Sequence, residues 1–177
     1  MISAGSSSTH QINFGTDGWR GIIADDFTFA NVRKVTRAIA AYLSTAYSQD
    51  RPVLIGYDTR FLAEKFAQTS AEVLTELGWT VKIVDRDCPT PVIAYNARLL
   101  NSAGALMFTA SHNPAPYCGI KYIPDYAGPA TPAITDTIVA NLANASDAPP
   151  ATKHPDKIST FDPQPEYFKF IYTLLDV

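Results

Sequence analysis

From residue 28 to residue 142 the chain alternates between two hydrophobic periods. Segments with apolar residues every three or four positions are separated by apolar runs of strand length. Val32, Val35, Ile39 and Leu43 mark a first amphipathic helix, with Thr28 placed to cap it. Arg51-Pro52 interrupts, and Val53–Tyr57 reads as a strand. Phe66, Val73, Leu74 and Leu77 share one face of a second helix that starts near Leu62 and ends at Gly78. Trp79–Val84 is a further strand, Thr90-Pro91 opens a short helix to about Leu100, and Ala103–Phe108 is again a strand. Ile120–Ile123 reads as a brief strand, and Thr131-Pro132 opens a last helix to about Leu142. A parallel connection needs a crossover, so this alternation implies an α/β fold: a three-layer α/β/α sandwich around a mostly parallel mixed sheet.

The proline distribution divides the chain. Only Pro52 lies in the first half, whereas five of the 13 prolines fall between 149 and 165. Residues 1–11 read as a loose Ser-rich leader, 12–145 as the α/β domain and 146–165 as a linker. Residues 166–177 read as an apolar helix that opens a second domain. A net charge of −3 gives no reason to expect nucleic acid or an anionic membrane as partner. No apolar run approaches a membrane span and no signal peptide is visible, so a cytoplasmic location is expected. Two cysteines without a CxxC spacing argue against a disulfide scaffold or a zinc site.

Three segments hold residues that packing does not explain, all expected near strand ends, where open α/β sheets place ligands. In Phe14–Gly21, three glycines within seven residues allow close backbone approach, and Arg20 suits a phosphate clamp. A tight turn with Arg20 paired to Asp17 uses the same residues. In Tyr57–Arg60, Asp58 and Arg60 either orient a site or cap the next helix. The third segment, Thr109–Pro114 followed by Gly119-Ile120-Lys121, delivers a hydroxyl, an imidazole and an amide into one turn. A hydrolase reading is weak, because there is no G-x-S-x-G elbow and adjacent Ser111 and His112 rarely point the right way. A nucleophile that accepts and returns a phosphoryl group needs positive charge, a metal and in-line geometry, and Lys121 offers charge or a proton. An Asn-Pro turn with Ser111 and Asn113 bonded to backbone is the plainer alternative.

Taken together, these segments resemble the phosphohexomutases, the phosphoglucomutase/phosphomannomutase superfamily. FGTDGWRG at 14–21 is similar to the family's first active-site loop and GYDTR at 56–60 to its second strand end. PTP at 89–91 is similar to the start of its third helix, TASHNP at 109–114 to its phosphoserine loop and GIKY at 119–122 to the stretch after it. The resemblance covers residues 12 to about 143, and the tail from Glu166 resembles the helix opening the family's second domain. It implies reversible 1-to-6 isomerisation of a hexose phosphate, with glucose phosphates ahead of mannose and glucosamine phosphates. Ser111 would carry the phosphoryl group, and a hexose 1,6-bisphosphate would be intermediate and activator. Mg2+ would bind the phosphoserine at Ser111. Arg20 and Lys121 would support transfer, with Lys121 as general acid/base. Thr16, Asp17, Gly18, Arg60, His112 and Asn113 would bind substrate or phosphate or shape the loops.

Two departures stand out. Cys118 occupies a position where the family usually has Asn. The family also uses four domains, the second supplying three aspartates of a DGDGDR-type loop to Mg2+, and this chain has no DGD triplet. The expectation is therefore a catalytic-serine domain that depends on further domains of its parent chain and is inactive alone. A stand-alone phosphosugar- or protein-binding domain is the alternative.

Overall fold

The computed structural model describes residues 12–175; the leader expected at 1–11 and the last two residues of the expected terminal helix lie outside the described residues. The elements are β1 (Trp19–Ile22), α1 (Phe29–Ala46), β2 (Val53–Tyr57), α2 (Ala63–Glu76), β3 (Val81–Val84) and α3 (Thr90–Leu99). They continue with β4 (Gly104–Phe108), β5 (Tyr117–Ile123), α4 (Pro132–Leu142), β6 (Ile158–Phe161) and α5 (Gln164–Thr173). The sheet order is β1-β5-β4-β2-β3-β6. Strand β2 pairs in parallel with β3 and β4, and β3 with β6, whereas β5 is antiparallel to both β1 and β4. The sheet is mixed and mostly parallel, as the alternation of periods predicts.

Helices cover both faces. Val53, Ile55, Leu106, Phe108 and Ile120 point into one core with Val35, Ile39, Phe66, Leu74 and Ile138 of α1, α2 and α4. Leu54, Ala105, Met107 and Val84 point the other way, onto Val92, Ile93 and Ala97 of α3. Burial on both faces explains why the central strands are unbroken apolar runs rather than alternating ones. Thr28 caps α1 as read, its Oγ1 accepting from the Asn31 backbone N–H at 3.2 Å. Pro91 and Pro132 each sit in the first turn of their helix, but Pro89 rather than Thr90 is the N-cap of α3, and Thr131 caps α4 without a side-chain bond.

Three segments differ from expectation. Trp19–Ile22, read as loop, is an edge strand on β5. Strand β5 begins three residues earlier than its apolar run, because Tyr117 and Gly119 find ladder partners in β1. The stretch read as a 146–165 linker contains β6, which pairs with β3 and extends the sheet. Prolines before and after Ile158–Phe161 punctuate that strand without entering it. Helix α5 then packs on α3, with Phe170 stacked on Tyr95 at 4.8 Å and Asn96 Nδ2 donating to the Pro163 carbonyl at 2.8 Å. No helix among the described residues is long and apolar enough to cross a membrane.

Cys88 and Cys118 are both free and buried. Burial is the main cause that pushes each thiol from near 9 up to about 12. Burial likewise pushes the Tyr47 phenol from 10 up to about 12. A raised value means that the neutral form is the one the fold stabilises. That contribution is whole below about pH 9 and is lost as pH rises toward 12. The denaturation midpoint in urea is expected to hold up to pH 9 and to fall between pH 9 and 12. A thiol reagent at pH 8 should leave both cysteines unmodified in the native chain and label both after unfolding. Rapid native labelling would contradict this.

Candidate active site

The site forms where β2 and β4 end. Residues Asp58–Arg60 follow β2, and Thr109–Asn113 follow β4, its parallel neighbour. The two loops are joined through the backbone at their base, the Asp58 N–H donating to the Phe108 carbonyl at 3.0 Å. Neighbouring parallel strands that end together splay their loops into a shared crevice, which is why ligand sites of open α/β sheets lie there.

Ser111 is exposed at the tip of the second loop with φ +54°, in the left-handed region. A non-glycine residue in that conformation costs about 1–2 kcal/mol and persists only when its surroundings impose it. Part of the imposition is local: the Ser111 N–H donates to Thr109 Oγ1 at 3.0 Å and the Asn113 N–H to the Ala110 carbonyl at 3.0 Å. The rest comes from Arg60, whose guanidinium lies against the carbonyls of Ser111, Asn113, Pro114 and Tyr117.

Arg20 and Lys121 arrive on strands rather than loops. The β1–β5 register places Arg20 opposite Gly119, two residues before Lys121. Alternation puts both cationic side chains on the face opposite Trp19 and Ile120, which are buried. Arg20 crosses directly over Gly119. A Cβ there would stand 2.9 Å from Arg20 Cγ and 2.5 Å from the Thr109 carbonyl oxygen, so only glycine lets the serine loop and Arg20 approach this closely. The preceding turn is closed by reciprocal bonds between Gly15 and Gly18, with Thr16 and Asp17 exposed at its tip. Gly18 has φ +83°, and a side chain there would collide with the Ile120 backbone.

Hydrogen bonds join these parts. Arg20 Nη1 donates to Asn113 Oδ1 at 3.0 Å, and Lys121 Nζ reaches Asp17 Oδ1 at 3.4 Å. The alternative Asp17–Arg20 pair does not form: Asp17 meets Lys121, and Arg20 fixes the serine loop through Asn113. His112 is exposed beside Ser111. A cavity of about 500 Å3 opens beside Ser111, lined also by Asp58, Thr59, Arg60, Phe61 and Ala115. A separate hollow of about 360 Å3 between α1 and α4 is lined by Arg37, which is committed to Glu76 at 2.9 Å.

The site thus combines a strained exposed hydroxyl, the cations Arg20, Arg60 and Lys121, and a loop tied at several points. This composition suits an anionic, polar ligand better than an apolar one. No group of three or more His, Cys, Asp or Glu able to hold a metal ion occurs among the described residues. Of the expected Mg2+ ligands this chain offers Ser111 alone, so its donor set is incomplete for that cation. Cys118, the departure from the expected Asn, faces the core and not the site.

An α/β/α sandwich that presents a strained serine and two cations at its strand ends defines a class of domains built to handle anionic groups. Residues 11–149 match the family described as phosphoglucomutase/phosphomannomutase, alpha/beta/alpha domain I. A phosphoglucomutase of Staphylococcus saprophyticus is 35% identical over 141 residues, 78% of this chain and 25% of that protein. A phosphoglucosamine mutase of Prochlorococcus marinus is 38% identical over 116 residues, 65% of this chain and 24% of that protein. A Thermus thermophilus structure described as a phosphomannomutase superposes with TM-score 0.82 at 34% identity, over 93% of this chain and 36% of that one. The chain belongs to the phosphoglucomutase/phosphomannomutase family and corresponds to its N-terminal domain I. It spans about a quarter of the length of these two curated relatives.

Proposed function

We propose that this chain is the serine-bearing domain of a phosphohexomutase that interconverts hexose 1-phosphate and hexose 6-phosphate. The observation that carries this reading is the left-handed, exposed Ser111 held between Arg20, Asn113 and Arg60 at paired strand ends. A hydroxyl placed that way is open to in-line approach from the crevice, and its loop has little freedom left to lose.

In this reading, phospho-Ser111 passes its phosphoryl group to a sugar hydroxyl. The Oγ–P bond breaks as the sugar O–P bond forms; the sugar hydroxyl gives its proton to a base, and the departing Ser111 Oγ takes one up to become a hydroxyl. In the return step the proton travels back as the other phosphate of the hexose 1,6-bisphosphate is taken up. Lys121 is the acid/base candidate of this chain: as the neutral amine it would accept that proton and, as the ammonium so formed, return it, with Asp17 Oδ1 at 3.4 Å orienting its Nζ. Arg20 supports the negative charge that develops on the transferring group. His112, Thr16 and Gly18 shape the rim. Mg2+ bound to the phosphoserine would neutralise phosphoryl oxygens, its other ligands coming from further domains of the parent protein. A cytoplasmic setting fits a hexose phosphate substrate. Glucose phosphates are the first choice, mannose phosphates the second and glucosamine phosphates the third; relatives of similar identity carry both glucose and glucosamine names.

The test uses the gene product at its natural length with glucose, mannose and glucosamine 1-phosphates in a coupled assay, primed with glucose 1,6-bisphosphate. Turnover with at least one sugar, and phosphate mapped to the peptide containing Ser111, are expected. Failure with all three, with Ser111 unphosphorylated, would refute the reading.

A further inference from the structure

Arg60 differs from the other cations of the site in that both of its terminal nitrogens are committed to backbone carbonyls. A guanidinium carries five N–H donors and no acceptor. Nη1 donates to the carbonyls of Pro114 at 3.0 Å and Tyr117 at 2.9 Å. Nη2 donates to the carbonyls of Ser111 at 2.9 Å and Asn113 at 2.7 Å. Nε faces Asp58 Oδ2 at 3.4 Å, while Asp58 Oδ1 accepts from the Arg60 backbone N–H at 3.0 Å. The side chain is only 14% exposed.

We propose that Arg60, anchored by Asp58, is a positioning residue: it clamps residues 111–117 into the one conformation that presents the Ser111 hydroxyl, and it does not bind phosphate. The inference rests on the mutase reading for its kinetic consequences, but not for the clamp itself. Three physical points support it. The left-handed Ser111 would relax toward extended backbone without an external tie, and its own carbonyl is one of the four tied oxygens. Bonds from a cation to carbonyl oxygens are stronger than neutral ones, and one planar fork sets all four directions at once. With four loop carbonyls directed at a half-buried cation, an incoming phosphoryl dianion meets fewer free negative dipoles. A lysine cannot reproduce this, because its compact ammonium has three donors and no fork.

The experiment compares Arg60→Lys and Arg60→Ala with the natural-length gene product. We expect kcat to fall about 100-fold in Arg60→Ala, the cost of a reacting group misplaced by about 1 Å. KM for the hexose phosphate should stay within about threefold, because no ground-state contact is lost. Arg60→Lys should recover little, whereas added guanidinium ion should partly restore Arg60→Ala. Amide hydrogen exchange should quicken across residues 111–117 in Arg60→Lys and stay unchanged in β2 and β4. A KM raised more than about tenfold at unchanged kcat would overturn the proposal, since that is how a lost substrate ligand behaves. So would full activity or unaltered loop exchange in Arg60→Lys. If Arg60→Ala does not fold, Arg60→Lys and the exchange measurement decide alone. If the unaltered protein never carries phosphate on Ser111, the mutase reading fails, and loop exchange still decides whether Arg60 is the clamp.

Discussion

Exchanging Ser111 for alanine is expected to abolish sugar phosphate isomerisation in the natural-length protein, by about 10⁴-fold or more, because no second nucleophile replaces a lost one. Thr109 Oγ1 already accepts from the Ser111 N–H, and its place in the loop base ties it to that bond. Arg20 and Lys121 carry no side-chain oxygen that could take the phosphoryl group in its place. A paired variant separates chemistry from strain. Ser111→Gly is equally inactive, yet it removes the left-handed penalty at φ +54° and should gain about 1 kcal/mol of stability. For a domain of this size that amounts to about 2–4 °C in Tm. Ser111→Ala keeps the penalty and should melt close to the unaltered protein. Coupled assays and thermal melts on both variants check this; turnover retained in either would show that the nucleophile lies elsewhere.

Phe27→Ala should produce the largest loss of stability. Phe27 is fully buried between Trp19, stacked at 4.8 Å, and Phe66, edge-on at 4.9 Å. Truncating such a ring typically costs about 3–5 kcal/mol, from lost transfer energy plus the cavity left behind. A fall in Tm of about 10 °C or more is expected. The effect should reach the site, because Trp19 precedes Arg20 on β1 and the stacked pair holds that edge strand against α2. Phe27→Leu, which keeps most of the volume, should retain most of the Tm. If Phe27→Ala melts within about 2 °C of the unaltered protein, the aromatic cluster does not carry the edge strand.

Much of this architecture is legible in the residues because its signals are local. Thr28 caps α1 through a bond to a neighbour three residues away, and the proline at the start of α4 needs only its own fixed φ. The runs at 53–57 and 104–108 announce central strands because both of their faces are buried. The edge strands were not visible in this way. Trp-Arg-Gly-Ile at 19–22 and Ile-Ser-Thr-Phe at 158–161 have little periodicity of their own, and each becomes a strand through one long-range partner. Ser111, Lys121 and Arg20 were readable as chemistry-bearing residues, but their mutual arrangement was not. The Asp17–Lys121 contact spans 104 positions and the Arg20–Asn113 contact 93.

The sequence by itself determined the layered α/β plan, the identity of the candidate serine and the family, because hydrophobic period, helix caps and short motifs are properties of neighbouring residues. Only the tertiary structure shows which groups the Arg60 guanidinium meets. Asp58 and Arg60 stand in a pattern that serves equally well to orient one another or a site, or to cap the next helix. The choice was made by the parallel pairing of β2 with β4, which brings the two loops together and turns four carbonyl oxygens toward one guanidinium. A fork of five donors has a use only once its acceptors have been assembled, and they lie 51 to 57 positions along the chain from Arg60.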